Sequence, residues 1–131
     1  MFTNEDYFVE VDGFAERHYI KVFAKKYGSK KWNITLSALT EEAKRIDRLI
    51  SETNRAEIIT SGSKKVVKIS FKVAGTNESA KTSGNRAIVY VDEENRTVLF
   101  LLVYCKNDIG PPNETQKWQK MIKDQYPNLL S

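Results

Sequence analysis

Between Lys64 and Val91 the chain carries Lys64, Lys65, Lys68, Lys72, Lys81 and Arg86 against a single acid, Glu78. Cations spaced along one small sheet can hold a phosphodiester. RNA cleavage by internal transfer needs the 2′-hydroxyl aligned with phosphorus, neutralisation of charge growing on the phosphoryl oxygens, and a proton for the leaving 5′-oxygen. Lysine and arginine supply the second by electrostatic stabilisation. A lysine crowded by other cations has a lowered pKa and can move protons. Strand alternation places Lys68 and Lys72 on one face, Arg86, Ile88 and Tyr90 on another stretch of the same kind, and Phe100, Leu102, Tyr104 and Lys106 together. Lys68, Lys72, Arg86, Tyr104 and Lys106 would then ring one shallow cleft, with Lys81 reaching in from a loop. Tyr104 could stack on a base or help transfer a proton. The alternative is that the strand lysines only keep a solvent-facing sheet soluble.

Those side chains need a sheet and something to brace it. Tyr7 to Val11 reads as a short strand closed by Asp12-Gly13. Ala15, Tyr19, Val22 and Phe23 form a helical stripe ended by Gly28-Ser29. Trp32, Leu36, Leu39, Ala43, Ile46 and Ile50 put one apolar face on a second helix, with Ser29 as candidate N-cap. The two helices form a hairpin. Val67, Ile69, Phe71 and Val73 alternate with Lys68, Ser70 and Lys72 in a strand. The polar, Gly-containing stretch from Ala74 to Asn85 reads as a mobile, solvated loop. Arg86 to Val91 is extended again, Asp92 to Arg96 turns, and Thr97 to Lys106 is apolar enough for a central strand covered on both sides. Gly110-Pro111-Pro112 breaks the chain. Asn113 can cap a last helix carrying Trp118, Met121, Ile122 and Tyr126 on one face, and Pro127 stops it. The order predicts an α+β fold: a small, mostly antiparallel four-stranded sheet, a helical hairpin on one face, a C-terminal helix, and the other face partly open.

The 131 residues suit one domain, 1–131, with its own core. Residues 1–63 hold ten cations and ten anions, and residues 64–131 eleven and seven, so the net charge of +4 lies wholly in the second half. A single cysteine, Cys105, excludes an internal disulfide and fits a reducing compartment. Cys105 itself reads as a small buried hydrophobe in an apolar strand. There is one histidine, His18, and no Cys/His cluster with metal-ligand spacing, so neither a metal nor another cofactor is expected. The start, MFTNEDYF, is acidic and lacks a signal-peptide apolar run. The longest apolar run, Val98 to Cys105, is too short to span a membrane. A soluble cytoplasmic protein with no membrane partner is expected.

The run KISFKV, followed by SGNRAIVYVDEENRTVLFLLVYCKND, resembles the RelE/HigB-like toxins of the RelE/ParE superfamily. The shared pattern is a basic strand, a loop ending Ser-Gly-x-Arg (Ser83, Gly84, Arg86), an apolar strand (Ile88, Val89, Tyr90), and a strand ending in Tyr104, Lys106, Asn107 and Asp108. The ordered motifs cover about a third of the chain, and the architecture matches over the rest. The resemblance implies the toxin of a type II toxin–antitoxin pair, a metal-independent endoribonuclease that cuts messenger RNA in the ribosomal A site and inhibits translation. Its partners would be mRNA, the ribosome and a cognate antitoxin. It implies Lys68, Arg86, Tyr104 and Lys106 as catalytic residues and Lys72, Lys81, Tyr90 and Asn107 as RNA contacts. Departures are Ser70, where some members have a second lysine, and Asn107, near an arginine of others. Tyr126 is the candidate for a tyrosine used downstream. Competing readings are a ParE-like inhibitor of DNA gyrase and a non-catalytic module that binds RNA or an antitoxin.

Overall fold

The computed structural model describes residues 6–60, 62–106 and 113–127, with backbone alone for 18–21. Strand β1 (Phe8–Val11) leads into helix α1 (Gly13–Tyr19), a π-helical turn (Ile20–Ala24), α2 (Lys25–Tyr27), α3 (Ser29–Lys44) and α4 (Ile46–Glu52). Strands β2 (Ala56–Thr60) and β3 (Lys64–Phe71) follow, then a short helix α5 (Ala80–Ser83), β4 (Asn85–Asp92), β5 (Thr97–Cys105) and α6 (Glu114–Gln125). The fold is α+β. Five strands form one mixed sheet in the order β1-β5-β4-β3-β2, with β1 parallel to β5 and every other pair antiparallel.

The expected four-stranded sheet therefore gains β2, an edge strand. Its five residues do not alternate cleanly, because the register with β3 shifts between Ile58 and Thr60 and leaves Ile59 as an extra residue. That bulge hides the period of two on which a strand is recognised.

The helical hairpin forms as expected, with two local differences. Gly28, not Ser29, is the N-cap of α3, and it takes φ +88, a conformation glycine tolerates without strain. The long apolar stripe is also divided. Arg45 leaves the helix (φ −118, ψ 45), so α4 starts afresh at Ile46. Trp32, Leu39, Ala43 and Ile46 are nevertheless buried, with Leu36 and Ile50 packed at the margin. Phe23 stacks on Trp32 at 4.8 Å between centroids and tilts against Phe71 at 5.7 Å, fixing the hairpin to β3.

The second sheet face is not open. Trp118 and Ile122 of α6 are fully buried against Val66, Ile88, Leu101, Leu102 and Tyr104. Helices thus cover both faces, which accounts for the unbroken apolar sequence of β5. A bulge in β5 makes this possible. Ile88 pairs with Leu102 and Val89 with Phe100, leaving Leu101 unpaired. The face therefore changes there: Phe100 joins Val98 in the hairpin-side core, while Leu102 and Tyr104 face α6. The expected alignment of Phe100 with Leu102 and Tyr104 fails for that reason.

Deleting the largest side chain of the α6 seam should expose this arrangement. Trp118→Ala is expected to cost about 3–5 kcal/mol. Urea unfolding should show it as a lower midpoint, and hydrogen exchange should show lost protection at Ile88 and Leu102. Trp118→Ala with wild-type stability and protection would mean α6 does not seal that face.

Candidate functional site

The Ser-Gly-x-Arg loop is a folding unit before it is a site. Ser79 and Thr82 form a reciprocal capping box at the start of α5. Gly84 ends the helix at φ +80, and a Cβ there would come within 3.1 Å of Lys106 Cγ. The Ser83 hydroxyl donates to Phe71 O at 2.6 Å and accepts from Asn85 N at 3.0 Å, tying the loop to the end of β3. Ser83 and Asn85 are buried. The stretch expected to be solvated thus contains a capped helical turn, fixed at its C-terminal end.

Arg86 completes it. Its guanidinium donates to the carbonyls of Asn85 (2.9 Å), Lys81 (3.1 Å) and Ala80 (3.4 Å). These include carbonyls of α5, whose end attracts a cation; Ala80 O also accepts from the Ser83 hydroxyl at 2.8 Å. Arg86 is 7 % exposed, so most of its fork faces the protein. Its partners are carbonyls; Asp108 lies outside the described residues.

Register brings Lys68, Arg86 and Tyr104 together. Ser70 of β3 pairs with Arg86 of β4, and Arg86 with Tyr104 of β5. Lys68 sits two residues from Ser70 on the same face. The patch also contains two acids that the sequence reading missed. Glu57 of β2 lies opposite Lys68, with its carboxylate 3.7 Å from Nζ. Glu114, in the first turn of α6, accepts a hydrogen bond from the Tyr104 hydroxyl at 2.5 Å. Lys68 is therefore neighboured by a carboxylate rather than crowded by cations, and the expected proton-moving lysine loses its stated cause. Glu57 was hidden in an unread strand. For Glu114 the available signal was its position just after the Asn113 cap.

Tyr104 is fully buried, so it cannot stack on a base in this conformation. Burial first, then the hydrogen bond and charge of Glu114, push its pKa far above the usual phenol range, while Arg86 opposes the shift. The phenol is a proton-holding donor at neutral pH.

The other expected contacts are dispersed. Lys106 and Lys81 are exposed; the Lys106 amide bonds to Gly84 O at 2.8 Å, which keeps it beside the loop. Lys72 follows β3 and lines a groove with residues of α3. Tyr90 is half-buried in the apolar seam under α6, four residues along β4 from Arg86 and thus about 13 Å away. Tyr126 donates to Asp12 at the β1–α1 junction and is not part of the patch. Asn107 lies outside the described residues. Among the described residues no three His, Cys, Asp or Glu gather as metal ligands, and no helix is long and apolar enough to cross a membrane.

Three tyrosines with raised pKa values imply a specific loss of stability in alkali. Tyr7 is pushed up to about 12 by burial and its hydrogen bond to Asp47, and Tyr126 is raised by burial and Asp12. A folded-state pKa above the unfolded value of about 10 stabilises the fold below pH 10 and is lost as pH rises past it. Each group should contribute a slope near 1.4 kcal/mol per pH unit between about pH 10 and 12. Tyr104→Phe should reduce that slope by about one group's share in denaturant melts; an unchanged slope would contradict the assignment. Compared with protein-family models, curated proteins and solved structures, the chain matches none, so the reading of this patch rests on its own residues.

Proposed function

We propose that the protein is the toxin of a type II toxin–antitoxin pair, a metal-independent endoribonuclease that cuts messenger RNA on the ribosome. The observation that carries the reading is convergence: Lys68, Arg86 and Tyr104, distant in sequence, meet on one face of three adjacent strands. The likeness of the Ser83–Arg86 and Tyr104–Lys106 motifs to RelE/HigB-like toxins gives that patch its chemistry.

The roles differ from those assigned by sequence alone. Lys68 is half-buried, and its ammonium is assigned to a phosphoryl oxygen. Lys81 of α5 and Lys106 next to Gly84, both exposed, hold the flanking backbone by charge. Arg86 holds the rim of the site in shape through α5 and adds positive potential. Tyr104 is a positioning residue behind the patch, anchored by Glu114. The 2′-oxygen attacks phosphorus as its proton passes to water, the P–O5′ bond breaks, and water returns a proton to the leaving 5′-oxygen, so the products carry a cyclic phosphate and a 5′-hydroxyl.

Induced expression should arrest growth and translation, with RNA 5′ ends appearing inside translated codons. Intact messages with blocked supercoiling would support gyrase inhibition instead. Lys68→Ala should lower cleavage about a hundredfold or more, as loss of one transition-state contact does. Its melting temperature should fall only modestly, because the exchange removes a loose pair with exposed Glu57 and the packing of the lysine stem. A folded Lys68→Ala protein with wild-type toxicity would remove Lys68 from the chemistry.

A further inference from the structure

A groove of about 410 Å³ lies between α3 and the segment joining β3 to α5, a volume within the range of small-molecule sites. Ala38, Leu39, Phe71, Ala74 and Ala80 give it apolar walls, and Ile34, 53 % exposed, also lines it. Three of those residues are alanines, whose short side chains leave room between the helix and the segment. Ile34, Ala38 and Glu42 follow one another at four-residue steps, so the groove extends about 12 Å along α3.

The polar side chains on it are engaged, with one exception. Arg55 holds Glu42, the one carboxylate among the lining residues, through both terminal nitrogens and gives its Nε to Ser70 O at 3.1 Å. The Thr35 hydroxyl donates to Lys31 O and accepts from Ala74 N, each at 2.9 Å. Ser79 belongs to the capping box. The exception is Lys72, exposed, whose ammonium has no hydrogen bond or ion pair among the described residues. Lys31, one helical turn before Thr35, carries a second such ammonium. A molecule in the groove therefore meets apolar walls, one committed ion pair and uncommitted positive charge.

We propose that this groove binds a medium-chain alkyl carboxylate, its chain lying along Ala38 and Ala80 and its carboxylate on the Lys72 ammonium. An alkyl chain buries area against these walls and asks for no hydrogen bonds, which suits a groove whose polar groups are already paired. A nucleotide or a sugar would bring polar groups that find no partner there. The uncommitted lysine selects an anion for the single polar end of the ligand. The length of the groove along α3 matches a chain of about ten carbons. This site lies beyond the nuclease reading and does not rest on it.

The test titrates the full chain, labelled with nitrogen-15, with hexanoate, octanoate and decanoate, each below its micelle concentration. Backbone amides of Ile34, Ala38, Ala74 and Ala80 should shift and saturate. Affinity should rise about twofold to fourfold for each added methylene, as burial of a methylene predicts, and level off at dodecanoate, whose tail overruns the groove. Decylammonium, the same chain with the opposite charge, should bind roughly tenfold more weakly or not at all. Ala38→Gln, which keeps a helix-forming residue at an exposed position and sets an amide against the chain, should weaken decanoate binding roughly tenfold. Lys72→Glu should do the same, and it carries the test should Ala38→Gln fail to fold. Affinity independent of chain length, equal binding of decanoate and decylammonium, or wild-type affinity in a folded Lys72→Glu protein overturns the proposal. Shifts at the same amides with an acidic helical peptide and none with decanoate would give the groove to a polypeptide and overturn it too.

Discussion

Strands β4 and β5 are covered on both faces, and that double burial is the constraint from which the remaining structure follows. An apolar side chain satisfies it by burying area; a polar one must find partners, because an unpaired buried polar group costs about 1–3 kcal/mol. Arg86 and Tyr104 are the bulky polar residues placed on facing positions of these strands. Each has a solution. Arg86 takes carbonyls offered by α5, and Tyr104 takes the carboxylate of Glu114. The two connections that bracket the patch, α5 before β4 and the start of α6 after β5, are thus held by the same two side chains.

The bulge at Leu101 is what lets one strand serve both sides. Without it, strict alternation would put Phe100 beside Leu102 and Tyr104 and thin the core under the hairpin. With it, Val98, Phe100, Val103 and Cys105 face the hairpin while Leu101, Leu102 and Tyr104 face α6. A bulge also sharpens strand twist. Its place between the hairpin-side core and the Arg86–Tyr104 row couples packing on one face to the geometry of polar groups on the other.

Most elements were legible because their periods are regular: the stripe from Trp32 to Ile50, the alternation of Val67 to Val73, and the apolar run of β5. What escaped was irregular. Ile59 broke the alternation of β2, so both the strand and Glu57 were missed. Whether α6 seals the second face is a tertiary matter; an amphipathic helix shows the face it buries but not the surface it meets. The residues of the site were legible as types and not as roles. Sequence showed cations near a tyrosine, whereas solvent exposure decides which of them meets a ligand, and exposure divides Lys68, Lys81 and Lys106 from Arg86 and Tyr104.

That division ties the exposed charges to the buried groups. Arg86 bonds the backbone of α5, the helix that carries Lys81, and Gly84 at its end touches the stem of Lys106. Gly84 is at φ +80, and the approach of Lys106 leaves little room for a Cβ, so two constraints meet at one residue. The consequence is a chain of contacts from a buried guanidinium, through a short capped helix and one glycine, to two surface ammoniums. Lysines alone are long and flexible and would scatter their charge. Anchored at the backbone by α5 and Gly84, the stems of Lys81 and Lys106 start from defined points around Gly84. A diffuse basic surface thereby becomes a directed one.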